Sequence, residues 1–143
     1  MIVINAQDMI LGKVASHVAK ELLKKEEVVI LNAEHIVITG NKKEIMEKYL
    51  KRRSIKPKQN PSHRPKWPRV PNLLVRRVVR GMLPYSSSRG REAYKRLRVE
   101  EGIPEKYKDK ISTNNYDKLK SKCLKKFITI KKLCESLGYN GWF

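Results

Sequence analysis

Short apolar runs alternate with amphipathic stretches over residues 1–50. Ile2-Val3-Ile4 reads as a buried strand ended by Asn5-Ala6-Gln7-Asp8. After Gly12, placed in a tight strand-to-helix turn, Val14, Val18, Leu22 and Leu23 recur at three- and four-residue spacing, which predicts a helix. Ala15 and Ala19 share its apolar side and are small enough for close packing on a sheet. Lys24 and Lys25 fall in the last turn, where the helix dipole favours cations. Val28-Val29-Ile30-Leu31 is apolar throughout, as strands covered on both faces are. The resulting β-α-β unit implies parallel pairing through a right-handed crossover. A third strand, Ile36-Val37-Ile38-Thr39, is expected to begin at His35 and to close at Gly40-Asn41. Lys42 to about Leu50 reads as a helix with Ile45, Met46, Tyr49 and Leu50 on one face.

From Lys51 to Pro71 the pattern breaks. Pro57, Pro61, Pro65, Pro68 and Pro71, with no Gly, disfavour helix and sheet and favour a stiff extended path. A connection of that length in a compact domain suggests a functional loop. Asn72 is expected to cap a helix with apolar Leu73, Leu74, Val75, Val78, Val79, Met82 and Leu83, stopped by Pro84. Ser86 to Gly90 reads as a turn, and Arg91 to Leu97 as a second amphipathic helix. Residues 100–122 are polar without clear period, then Phe127-Ile128-Thr129 resembles a final strand. A short helix, Ile130 to Leu137, is expected to be capped by Thr129 and ended by Gly138. The order of elements points to an α/β chain, read as one domain over residues 1–143.

Charge changes this picture from a plain α/β domain to one with a specialised middle. Residues 1–50 carry seven Lys and seven acids, so they are neutral. Residues 51–98 carry sixteen Lys or Arg against Glu92 alone, a net of +15. Residues 99–143 carry a net of +4, completing the chain's +19, and read as an extension returning to the neutral β-α-β core. A block of +15 repels itself unless an anion neutralises it, and nucleic acid presents the densest regular array of anionic charge. The Pro-rich segment is accordingly expected to order fully only on RNA.

The candidate RNA-binding residues are the cations of that block and their neighbours. On the Pro-rich segment they are Lys51, Arg52, Arg53, Lys56, Lys58, His63, Arg64, Lys66, Trp67 and Arg69. Pro65-Lys66-Trp67-Pro68-Arg69 interleaves an aromatic with cations, which suits base stacking beside phosphate neutralisation; Trp67 packing on its own domain is the competing reading. On the first Arg-rich helix the candidates are Arg76, Arg77 and Arg80, with no acid interleaved to relieve repulsion. At the start of the second, along it and just after it they are Arg89, Gly90, Arg91, Lys95, Arg96 and Arg98. The glycine there permits close backbone approach, and paired guanidiniums grip phosphate in bidentate fashion.

Other chemistries find little support. Gly12-Lys13 lacks the upstream Gly and the following Ser or Thr of a phosphate loop. His17, His35 and His63 are scattered, without partners that suggest catalysis or metal ligation. Cys123 and Cys134 lack zinc-finger spacing and read as ordinary thiols of a reducing compartment. No signal peptide or membrane-spanning run is expected from the sequence. Neither a catalytic site, a metal, a cofactor nor a small-molecule substrate is therefore expected. An enzyme acting on RNA would need a clustered acid, His or metal site, and a free-standing nucleic-acid-binding regulator remains the other alternative.

Several stretches resemble the large-subunit ribosomal protein thirteen family. They are Leu11-Gly12-Lys13-Val14-Ala15-Ser16, Asn32-Ala33-Glu34 with Thr39-Gly40, and Arg77-Val78-Val79-Arg80-Gly81-Met82-Leu83-Pro84. Arg89 through Val99, followed by Gly102-Ile103-Pro104, is similar to the archaeal and eukaryotic branch. The likeness covers about residues 3–107 and Lys126 to Ile130; residues 108–122 match weakly. Departures are modest: many members have Asp at the place of Asn5, whose amide oxygen can still cap, and Arg at that of Lys13. The resemblance implies a three-layer α/β/α fold with a small, mainly parallel sheet. It also implies a non-catalytic, cytoplasmic protein of the large ribosomal subunit. Such a protein would bind large-subunit rRNA, sit beside neighbouring ribosomal proteins and support early assembly.

Overall fold

A computed structural model describes residues 1–110, 119 and 126–141. Strands β1 (Ile2–Asn5) and β2 (Val28–Leu31) pair in parallel, with Ile2 opposite Val28 and Asn5 opposite Leu31. Helix α1 (Leu11–Leu23) makes the crossover between them. Strand β2 is apolar throughout because it lies in the middle: its other edge pairs in parallel with β4 (Leu97–Val99), setting Val28 opposite Leu97 and Ile30 opposite Val99. Strand β3 (Val37–Thr39) does not join that sheet. It pairs antiparallel with β5 (Phe127–Thr129), and a lone parallel bridge from Val37 to Ile10 ties this ribbon to the start of α1.

Alternation along the strands divides the core in two. Ile4, Val28, Ile30, Leu97 and Val99 face the larger cluster, built with Val14, Val18 and Leu22 of α1 and Leu74, Val75 and Val79 of α3 (Pro71–Met82). Helix α4 (Ser88–Lys95) adds Ala93, and α5 (Ile130–Ser136) adds Ile130, Leu133 and Cys134. Val3, Val29 and Leu31 face the opposite side, where Tyr107 of a 3-10 turn (Glu105–Lys110) packs on them. The sheet thus lies between helices on one face and this turn on the other. Cys134 is fully buried, and burial, reinforced by Glu101 and Glu135, pushes its thiol up to about 12, so it is inert at neutral pH. Cys123 lies outside the described residues.

A polar tie holds the carboxyl ends of β1 and β2 together. Asn32, buried and left-handed at φ 56°, donates Nδ2 to Asn5 Oδ1 at 2.8 Å. The same oxygen accepts from the Gln7 amide at 3.2 Å, so the oxygen that Asn shares with Asp is the atom this turn uses. Glu34 accepts from the Gly102 amide at 3.0 Å, which fastens the turn after β2 to the chain leaving β4.

Several expectations need correction. Gly12 stands inside α1 with open space around it, not in a tight turn. His35 belongs to a 3-10 turn (Ala33–His35), and the strand starts at Val37. Helix α2 runs from Lys42 to Ser54, so Lys51, Arg52 and Arg53 are helical and the extended segment starts only at Ile55. It contains one 3-10 turn, Pro61–His63. Helix α3 starts with Pro71 at its first position, where a missing N–H costs nothing, and Asn72 is not its cap. Helix α4 starts at Ser88 because Ser87 Oγ accepts from the Gly90 amide at 3.2 Å, which turns an apparent Ser-rich loop into a capped first turn. Leu97 opens β4 and does not end a helix, so Arg98 is a strand residue.

Candidate nucleic-acid interface

The basic block is distributed over the end of α2, the segment 55–70, α3, α4 and β4. Among the described residues, the ion pairs all lie outside 51–98. The fold therefore leaves this charge unneutralised and organises it by other means.

One group forms around Trp67. Its indole meets Tyr49 edge-on, with ring centroids 5.8 Å apart. Arg52 lies 4.7 Å and Arg77 4.3 Å from the Trp67 ring centroid, and Arg52 also lies 5.3 Å from that of Tyr49. Arg53 donates Nη1 to the Trp67 carbonyl at 2.6 Å, and Arg77 donates Nη1 to the Lys66 carbonyl at 2.7 Å. Three cations from two helices thus hold the Pro-rich segment by its backbone and its ring. Trp67 itself is half-buried against the main core, so packing on its own domain is the arrangement the structure adopts. Burial first, then the nearby Arg69 and Arg64, lower the Arg53 pKa from its ordinary value, the response of a cation crowded by cations.

A second group joins α3 to α4. Arg80 lies 4.0 Å from the Tyr85 ring centroid and Arg76 5.0 Å from that of Tyr94. The two tyrosines meet edge-on at 5.6 Å. Arg76 Nε and Arg96 Nη1 are buried with no hydrogen-bond partner, so the aromatic contact is what stabilises Arg76 here.

The remaining candidates are positioned less tightly. Lys56, Arg64 and Lys66 converge on a recess of about 470 Å³ beside Pro57 and Pro61. Lys51, Lys58, His63, Arg69, Arg89, Arg91, Lys95 and Arg98 are exposed, and Arg98 projects outward between buried Leu97 and Val99. Gly90 is buried; the close approach it permits is to the Pro84 carbonyl within the chain. Tyr49, Tyr85 and Tyr94 were not among the candidates, yet they brace Arg52, Arg80 and Arg76. Only Tyr49 and Arg52 could have been matched in advance, being three apart on one helix.

These braces have a measurable worth. Trp67→Leu removes two cation–π contacts, worth about 0.5–1 kcal/mol each at exposed sites, without changing charge. The expected result is RNA binding about tenfold weaker with the same salt slope, measured by fluorescence anisotropy. An altered slope would mean that the ring sets how many cations reach phosphate, not only their order.

Fold and face together define a class: a small α/β scaffold with a dense, aromatic-braced cationic surface. The profile of the family described as Ribosomal protein L13 matches residues 1–106. The large ribosomal subunit protein uL13 of Methanococcus maripaludis is 48% identical over 106 residues, covering 73% of this chain and 77% of that protein. Its counterpart from Methanocaldococcus jannaschii is 43% identical over 145 residues, covering 96% and 98%. That of Archaeoglobus fulgidus is 41% identical over 141 residues, covering 97% and 88%. The chain belongs to the ribosomal protein L13 family, and as a member it is a structural ribosomal protein and not an enzyme.

Proposed function

We propose that this chain is a constituent of the large ribosomal subunit that binds its rRNA through residues 51–98 and supports early subunit assembly. One observation carries the reading: sixteen cations with no ion pair among the described residues, several held in place by aromatic rings. A guanidinium stacked on a ring has already lost most of its rotamer freedom, so less is lost when phosphate arrives. In this reading 1–143 is a single domain in which residues 1–50 and 99–143 hold the shape and 51–98 neutralises converging rRNA. Neighbouring ribosomal proteins would contact what the RNA leaves open.

Sedimentation tests it. A tagged chain should travel with large subunits and their precursors. The triple change Arg80→Gln, Arg89→Gln and Arg91→Gln, at exposed positions, should shift the protein to the free fractions with unchanged circular dichroism. Parent protein found mostly away from large subunits would favour a separate regulator.

A further inference from the structure

Between the end of α2 and the Pro-rich segment lies a recess of about 610 Å³, lined by Leu50, Arg53, Arg64, Lys66, Trp67 and Arg69 among others. Among the described residues its lining carries no carboxylate, and its cations come from two different segments. We propose that this recess takes one unstacked nucleotide of a bulge or loop in the bound RNA, its phosphate on Arg53, Arg64 and Arg69 and its base against Leu50, Pro65 and Trp67. The proposal rests on the RNA-binding reading above and adds to it a preference for RNA form.

Three features support a nucleotide over a stretch of duplex. The volume is that of a small-ligand pocket, too small for a paired helix to enter. The lining divides into two chemical kinds: guanidiniums and Lys66, and an indole, a proline ring and Leu50, which is 48% exposed. An unstacked nucleotide is divided the same way, with a phosphate at one end and an apolar ring face at the other. Two of the cations have neighbours that place them. Arg53 is oriented by its bond to the Trp67 carbonyl at 2.6 Å. The Arg69 guanidinium lies against Gly138, its Nη1 3.6 Å from where a Cβ would stand, at the left-handed residue that ends α5. The lowered pKa of Arg53 agrees with guanidiniums gathered around one point, a crowding that phosphate would relieve.

The experiment compares two RNA hairpins, one fully paired and one carrying a single bulged purine, with the full chain. The parent should prefer the bulged hairpin by roughly tenfold, the size of one stacked base. Arg64→Gln with Arg69→Gln should abolish the preference. Arg89→Gln with Arg91→Gln removes equal charge outside the recess and should weaken both hairpins alike while keeping the preference. Leu50→Ala, which changes no charge at an exposed position, should also reduce it. Equal binding of the two hairpins by the parent, or a preference untouched by the Arg64/Arg69 change, would overturn the recess as a nucleotide site. Failure of the parent to bind either hairpin would instead overturn the RNA reading beneath it.

Discussion

Raising salt from 50 to 200 mM should weaken RNA binding by this chain about 10³–10⁵-fold, the loss expected for ~6–10 phosphate contacts. The physical reason is the unshared charge of residues 51–98. Each cation that meets a phosphate releases a counterion, and that release loses its value as bulk salt rises. Sixteen cations are present, more than the ~6–10 contacts behind that range, so only part of them is required to meet phosphate. Anisotropy titrations across salt give the slope of log affinity against log salt. Removing Arg80, Arg89 and Arg91 together should lower that slope by about 3, roughly one per phosphate contact. A flat dependence would mean that shape and apolar contact, not charge, hold the RNA.

Gly90→Ala should destabilise the fold by about 3 kcal/mol or more, at or beyond the upper end for overpacking. A Cβ at Gly90 would overlap the carbonyl carbon and oxygen of Pro84. Those are backbone atoms and cannot rotate aside as a side chain does. Ser87 fixes them further: its hydroxyl donates to the Pro84 carbonyl at 2.8 Å and accepts from the Gly90 amide at 3.2 Å. Moving Pro84 away would therefore undo the cap of α4 and shift Arg89, Arg91 and Tyr85 with it. Thermal unfolding should show the midpoint falling by roughly 10 °C. Gly12→Ala is the contrast. It is also helical, but nothing stands within 4 Å of its added Cβ, so the change should stabilise by about 0.5–1 kcal/mol. Equal effects at the two positions would show that helix propensity, not the Pro84 contact, governs Gly90.

The parts of the fold that could be read from sequence are those where burial writes a long signal. Strand β2 is apolar at every position because both its faces and both its edges are covered. Helix α1 shows its buried stripe at three- and four-residue spacing, and α5 carries both its cap, Thr129, and its terminating Gly138. Strand β4 is not legible in the sequence, since it has three residues with an Arg between two apolar ones; its conformation comes from pairing with β2, which no local pattern records. The last turn of α2 leaves no helical signature in the sequence, because Lys51-Arg52-Arg53-Ser54 has no apolar period. Tyr49 and Trp67 beside Arg52 show what stabilises cations there. The separate β3–β5 ribbon was equally hidden, since apolar strands look alike whichever sheet receives them.

The interface divides in the same way. That the cations of 51–98 belong together was evident from charge alone, and the family likeness gave them a partner to expect. Which of them converge was not evident. Arg53, Arg64 and Arg69 are 11 and 5 positions apart in sequence and meet around one recess only because the segment folds back along α2. The aromatic braces bring together Arg76 with Tyr94, and Arg77 with Trp67, across turns that sequence spacing does not reveal.

The organised cations of 51–98, rather than the neutral β-α-β core, are expected to hold the RNA. Ultraviolet crosslinking in assembled large subunits, followed by peptide mapping, tests it most directly. Crosslinks should concentrate between Lys51 and Arg98, including peptides that contain Arg64 and Trp67. Crosslinks concentrated within residues 1–50, with 51–98 largely untouched, would contradict it.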